Sequence, residues 1–375
     1  MLSHPEFRRL WTATIIDAFG SWLLVLAVPL HVYRSTGSVA STAVTLAVEA
    51  TPALLVGLWA GALVDRWPRR RVLVLGNLAA AIGVAMLPFS INGGLLAENI
   101  AVCFVRPALT AALPAVVGTG PELAAANAWT AAGQSVLRML GPPAGTLLVA
   151  RGDFTAVVLV DAASYLIAAA LLARLRSADR RAGPGRLRVP GEHVVVRVLA
   201  ELRAGLVLVT RTKMLSGLVA TTWVFWAANA ALTILLVPLA GASVGWLISG
   251  LGLGYLLGSA VAKILILRYA TRPLLAVCYA AVGVCFVVAF AVPALPVIAV
   301  AGVPGAVIAV AVGFRVQKST PDRLLGRVST VLLASDASAA VVGALISPLL
   351  GTVTLSVMVL AVAAMAWVLL PGGGP

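Results

Sequence analysis

Six ionisable side chains stand inside otherwise apolar runs of this 375-residue chain: Asp17, Glu49, Arg106, Arg138, Asp161 and Asp336. A charge held at bilayer depth is costly, so each is a functional candidate by default. If each arginine pairs with one of the four acids, two acids are left without a cation. A neutral carboxyl is the cheaper form to keep in apolar surroundings, and an acid that alternates between the two forms carries a proton. Thr14, Asp17 and Ser21 share one helical face by their spacing, as do Gln134, Arg138 and Gly141. Trp223, Trp226 and Asn229, with Phe225 beside them, form an aromatic face suited to an apolar or cationic ligand or, equally, to packing against a neighbouring helix. Plainer roles stand beside these: an ion pair for Asp17 and Arg106, and interhelical hydrogen bonds for Glu49, Asp161 and Asp336.

The elements that must position these groups follow from composition. Hydrophobic residues make up 61% of the chain and charged residues 11%, with a mean hydropathy of +1.05. A soluble domain carries roughly 25% charged residues. One membrane-spanning helix uses about 20 apolar residues. The apolar runs give twelve such helices, at 10–33, 42–64, 72–90, 95–117, 124–149, 155–174, 215–238, 243–267, 273–291, 294–315, 327–350 and 353–370. Two joints rest on short breaks, Asn92-Gly93-Gly94 and Pro293-Ala294-Leu295-Pro296. The reading is an all-α polytopic membrane protein with a six-helix bundle at 1–175, a basic linker at 176–213 and a second six-helix bundle at 214–375.

The net charge of +14 is a topology signal rather than a nucleic-acid signal, because its position follows the membrane. With the N-terminus inside, 23 of the 27 Lys and Arg fall in inside segments, and Arg34 and Arg151 alone fall outside. A miscounted helix would reverse every later loop, so the bias supports twelve spans and cytoplasmic termini. The N-terminal apolar run is too long for a cleavable signal and contains Asp17. In the linker, 194–213 alternates apolar and basic residues at helical spacing, as an interfacial helix does.

Three stretches carry a resemblance. Gly61-Ala62-Leu63-Val64-Asp65-Arg66-Trp67-Pro68-Arg69-Arg70-Arg71 resembles the loop 2–3 signature of the major facilitator superfamily, with Pro68 where a second glycine is usual. Leu140-Gly141-Pro142-Pro143-Ala144-Gly145-Thr146 resembles the antiporter motif of that superfamily, with Thr146 in place of its last glycine. Glu6 to Trp11, Pro107 to Pro114, Ala126-Asn127-Ala128, Leu159 to Ser164 and Gln317 to Val328 are similar to the bacterial enterobactin-exporter-like branch of drug–proton antiporters. In the second half, Gly258, Lys263 and Arg272 keep part of the loop signature and Ala262 replaces its acid, as an eroded copy in a parallel repeat would.

The resemblance implies two bundles rocking about a midplane site, with Asp17 and Arg106 facing the central cavity. It also implies a conformational latch at Gly61, Asp65, Arg66, Arg69 and Arg70. Gly141, Pro142 and Gly145 would form a kinked small-residue face for interdomain packing. Proton-coupling or cavity candidates are Asp17, Glu49, Arg106, Arg138 and Asp336, and substrate-cavity candidates are Ser21, Gln134, Trp223, Trp226 and Asn229. The expected function is proton-coupled efflux of a hydrophobic or amphipathic small molecule, such as a drug, a siderophore or a secondary metabolite. An uncoupled facilitator or importer of the same fold and a non-transporting membrane sensor remain as alternatives.

Cys103, Cys278 and Cys285 have no paired spacing, and His4, His31 and His193 are scattered, so neither disulfides nor a metal centre is expected. No nucleotide-phosphate loop and no catalytic set occurs in the polar loops, so neither an ATP-driven pump nor an enzyme is expected, and no cofactor. The expected partners are a small-molecule substrate, protons and membrane lipid, not nucleic acid, for a monomer in the cell inner membrane.

Overall fold

The computed structural model describes residues 4–64, 67–118, 121–175, 194–320, 322–349 and 352–371. Among them the regular elements are helical: α1 (Pro5–Thr36), α2 (Val39–Leu55), α3 (Gly57–Val64), α4 (Arg69–Ala85), α5 (Ile91–Val117), α6 (Pro121–Ala150), α7 (Phe154–Leu172), α8 (Val194–Arg211), α9 (Lys213–Ala240), α10 (Val244–Arg268), α11 (Thr271–Ala291), α12 (Leu295–Ser319), α13 (Asp322–Ile346) and α14 (Thr352–Leu369). Seven described stretches are long and apolar enough to cross a membrane, and one of them, Lys213–Arg268, covers α9 and α10 in succession. Large apolar side chains such as Leu75, Ile82, Leu159, Val277 and Val368 point outward, as they must where the solvent is lipid.

Local chemistry corrects two expected boundaries. The second expected span is two helices, interrupted at Val56, four residues after Pro52 and just before Gly57. The Val56 amide still donates to the Pro52 carbonyl at 2.8 Å, so the break is a local turn between the two helices. The joint expected at Asn92-Gly93-Gly94 lies earlier, at Met86–Ser90. Ser90 caps α5, its side chain accepting from the Gly93 amide, so both glycines belong to the first turn of α5. Gly83 and Gly94 then face each other across the turn: a Cβ on Gly83 would meet the Glu98 backbone, and one on Gly94 would meet the Gly83 carbonyl. Asp153 caps α7 in the same way, accepting from the Ala156 amide at 2.8 Å. The prolines at 293–296 do separate α11 from α12, where Pro296 sits in the first turn of the new helix.

Contacts divide the chain into two compact units, Met1–Val28 with Thr51–Val198, and Pro29–Ala50 with Leu199–Pro375. In the first unit α4 packs on α5 and α7, and α3 on α5. In the second, α11 packs on α12 and α14, and α10 on α12. The same neighbours recur in the same order, the pattern of a parallel internal repeat. Close helix approach depends on small residues in both units. Gly254 and Gly302 bring α10 against α12, and Gly343 brings α13 against the Ala227 backbone of α9. The first unit's core includes Phe7, Leu10, Leu73, Val105, Ala108 and Leu172, all buried.

Candidate functional site

In the first unit the side chains of α1, α5 and α7 meet in a buried polar cluster. Gly20 makes this possible: a Cβ there would strike the Asp161 carboxyl, stand 2.5 Å from Ser164 Oγ and lie 2.7 Å from Asp161 Cα. Asp161 is fully buried; its Oδ1 accepts from Ser164 Oγ at 3.2 Å and its Oδ2 has no hydrogen-bond partner. One turn further along α7, the buried Tyr165 hydroxyl donates to Glu98 Oε1 at 3.0 Å and lies 3.2 Å from Ser21 Oγ. Ser21 Oγ is in turn 3.2 Å from the Asp17 carbonyl to which it can donate. Asp17 Oδ1 is buried without a hydrogen-bond partner, and among the described residues Asp17 makes no ion pair with Arg106, which is exposed. Arg106 is nevertheless near enough for its charge to act on Asp17, and the charges of Asp17 and Glu98 act on Asp161.

A second constellation forms on one indole. Trp22 Nε1 donates to Gln134 Oε1 at 3.4 Å, the Arg138 guanidinium lies 5.0 Å from the Trp22 ring, and Gly141 abuts Trp22. The shared face of Gln134, Arg138 and Gly141 therefore points at α1. Gly141 and Gly145 pack against Trp22 and Leu23 of the same unit, so this glycine face brings α6 close to α1. The Thr146 hydroxyl, standing where the motif's last glycine would be, donates to the Pro142 and Pro143 carbonyls inside α6.

Of the expected latch, Gly61 lies in α3, and Asp65 and Arg66 lie outside the described residues. Arg69 Nη1 donates to the Ala111 carbonyl at 3.2 Å. Arg70 lines a cavity of about 480 Å³ with Glu6, Arg9, Ala173 and Arg174, where Arg9 and Glu6 form an ion pair at 3.0 Å.

In the second unit Trp223 Nε1 donates to Ser338 Oγ at 2.9 Å, which ties α9 to α13. Trp226 packs edge-on against Phe225, and Phe225 against Tyr279. The Asn229 carbonyl accepts from the Thr233 hydroxyl. Asp336 is half-buried on α13 with Oδ1 unpartnered. Glu49 is half-buried in α2 and is engaged with neighbours.

The Major Facilitator Superfamily profile matches residues 10–243. The chain belongs to this superfamily. It is 27% identical over 347 residues to the multidrug efflux pump Tap of Mycolicibacterium fortuitum, covering 85% of this chain and 83% of Tap. It is 26% identical over 371 residues to the enterobactin exporter EntS of Salmonella typhi, covering 91% of this chain and 84% of EntS. The fold matches the crystal structure of the nucleoside transporter NupG with a TM-score of 0.72 and 11% identity, over 97% of both chains. The protein is thus an all-α, multi-pass membrane transporter of the major facilitator fold, and its family and neighbours are transporters rather than enzymes.

Glu98 and Tyr165 belong to the first cluster and are absent from the sequence-derived candidates. Placing the start of the fourth span at 95 left Glu98 in its first turn, where a charge needs no explanation. The usable signal was the spacing of Asp161 and Tyr165 by four on α7, which puts both on one face.

Proposed function

We propose that this superfamily member is a proton-coupled exporter of a hydrophobic or amphipathic small molecule. The observation that carries the reading is Asp17: a carboxyl in mid-helix whose Oδ1 is buried without a hydrogen bond or an ion pair. Similarity to Tap and EntS over most of each chain supports the outward direction. The 1–175 and 214–375 bundles, joined by the 176–213 linker, alternate access to a midplane site. Protonation from outside neutralises the acid and lets the substrate-free protein return, and deprotonation inside readmits substrate. Trp22, Gln134 and Arg138 offer an aromatic face with a cation beside it, while Trp226 on α9 and Asp336 on α13 supply a further aromatic ring and a further acid.

Asp65 with Arg66, Arg69 and Arg70 acts as the latch of the outward-open state rather than as a substrate contact. The protein works as a monomer in the inner membrane with both termini cytoplasmic, and its basic linker rests on anionic lipid.

The test uses inside-out vesicles that carry a preformed pH gradient and a panel of cationic, neutral and anionic amphiphiles. Collapse of the gradient by one charge class, lost in Asp17→Asn, is expected. No proton movement with any compound, from protein shown to be folded and inserted, overturns the coupling; substrate flux persisting without proton flux would make the chain a facilitator.

A further inference from the structure

We propose that Asp17, Glu98 and Asp161, which meet around Ser21, Ser164 and Tyr165 where α1, α5 and α7 pack together, form one interhelical proton-binding cluster that holds the coupling proton. The proposal rests on the antiport reading above and deepens it by placing the proton between α1, α5 and α7 rather than on one cavity acid.

Three carboxyl groups share the cluster, and the charge of Arg106 acts on one of them, Asp17. α4 packs on α5 and α7, and its titratable groups are Arg69, Arg70 and Arg71 at its first turn. On α6, Arg138 is stacked on Trp22. If all three carboxyls were ionised, they would repel one another at a site where Glu98 and Asp161 are buried. A bound proton removes that repulsion by turning a carboxylate into a carboxyl, with no other bond made or broken.

Two independent features point to an occupant. Asp161, fully buried, keeps Oδ2 without a donor, and Asp17 does the same with Oδ1. A permanently ionised carboxylate would be expected to collect donors from its surroundings. The hydroxyls also have more acceptors than protons. Tyr165 has one proton to give and both Glu98 Oε1 at 3.0 Å and Ser21 Oγ at 3.2 Å to receive it. Ser21 has one proton for either Tyr165 or the Asp17 carbonyl at 3.2 Å. When Glu98 takes up a proton, Tyr165 can turn its own towards Ser21, so the state of Glu98 is felt on α1. Tyr165 is a positioning residue here, since it ends each exchange with the proton count it began with.

Glu98 and Asp161 each stand seven residues into their helices, about 10 Å along the axis. In the orientation proposed above both helices start outside, so the cluster is approached from the side on which an exporter collects its proton.

The experiment is a pH titration of the purified full chain in lipid nanodiscs by infrared difference spectroscopy of the protonated-carboxyl band, with substrate-free protein. Variants are Glu98→Gln, Asp161→Asn and Tyr165→Phe, with Asp336→Asn as the comparison outside the cluster. A titrating band is expected in the wild type and in Asp336→Asn, reduced in Glu98→Gln and Asp161→Asn, and displaced in frequency and midpoint in Tyr165→Phe. In vesicles, Glu98→Gln loses proton-driven transport by about tenfold or more, within the range of site-to-site coupling. An unchanged band in Glu98→Gln and Asp161→Asn overturns the proposal. If these variants fail to insert, an unmoved band in Tyr165→Phe, which keeps the buried volume, overturns it. Full proton exchange in Glu98→Gln refutes the cluster and leaves antiport standing. A wild type that shows the band but exchanges no protons for substrate refutes antiport and leaves the cluster.

Discussion

Replacing Gly20 with alanine tests the packing that builds the first-unit cluster. The added Cβ would lie 2.7 Å from Asp161 Cα, a backbone atom that cannot swing aside, and ordinary contact begins at 3.4 Å, so α1 and α7 must part by 0.7 Å. Applied to the neighbouring 3.2 Å contact between Ser21 and Tyr165, that movement gives 3.9 Å, beyond hydrogen-bond range. Overpacking costs about 1–3 kcal/mol, and alanine in place of a helical glycine returns about 1 kcal/mol. The net effect is a destabilisation of up to about 2 kcal/mol with loss of the hydroxyl link. Gly252→Ala on α10 is the control, because its Cβ would meet nothing within 4 Å. The same propensity then predicts an unchanged or raised melting temperature. The assay is thermal unfolding of both purified variants in detergent, read by size-exclusion profile, together with proton-coupled transport in vesicles. If Gly20→Ala is as stable and as active as Gly252→Ala, the close approach of α1 and α7 is not what holds the cluster.

Three further outcomes are expected. Gly145→Val places side-chain atoms on the Leu23 main chain, so the yield of monodisperse protein from membranes should collapse; a normal yield would show that α6 does not need this approach. Arg138→Lys keeps the charge but loses the guanidinium over Trp22, a contact worth about 0.5–2 kcal/mol to the folded protein, which predicts a lowered melting temperature together with a raised half-saturating substrate concentration. An unchanged value removes Arg138 from the substrate face. Asp65→Asn should slow turnover without altering substrate affinity in equilibrium binding, and equal transport rates would end the latch assignment.

Much of the helix count was legible because lipid leaves few alternatives: a run of about 20 apolar residues bounded by charge must span, and backbone groups must be satisfied within the helix. Boundaries were legible where proline enforces them, as at Pro293 and Pro296, and illegible where a single cap decides. Ser90 moved the start of α5 to Ile91 and carried Glu98 from a surface turn into the interior. The interruption of the second span at Val56 was hidden within a continuous apolar run.

For the site, helical spacing on one element was readable, and Gln134, Arg138 and Gly141 all reach Trp22. What spacing cannot carry is which foreign helix a face meets. The face of Trp223 suited a ligand and helix packing equally, and the structure ties Trp223 to Ser338, while Gly20, which carries no signal in the sequence, is the surface on which Asp161 rests.

Proton coupling through a buried acid is the central claim, and the most direct measurement is uphill transport driven by pH alone. Proteoliposomes loaded with the protein are given an imposed pH difference, no membrane potential and equal substrate on both sides, and net substrate movement is followed for wild type and Asp17→Asn. The account predicts accumulation against a growing substrate gradient in the wild type, on the acidic side, and simple equality in Asp17→Asn with exchange still running. Accumulation undiminished in Asp17→Asn, or none in a wild type that exchanges substrate freely, would contradict it.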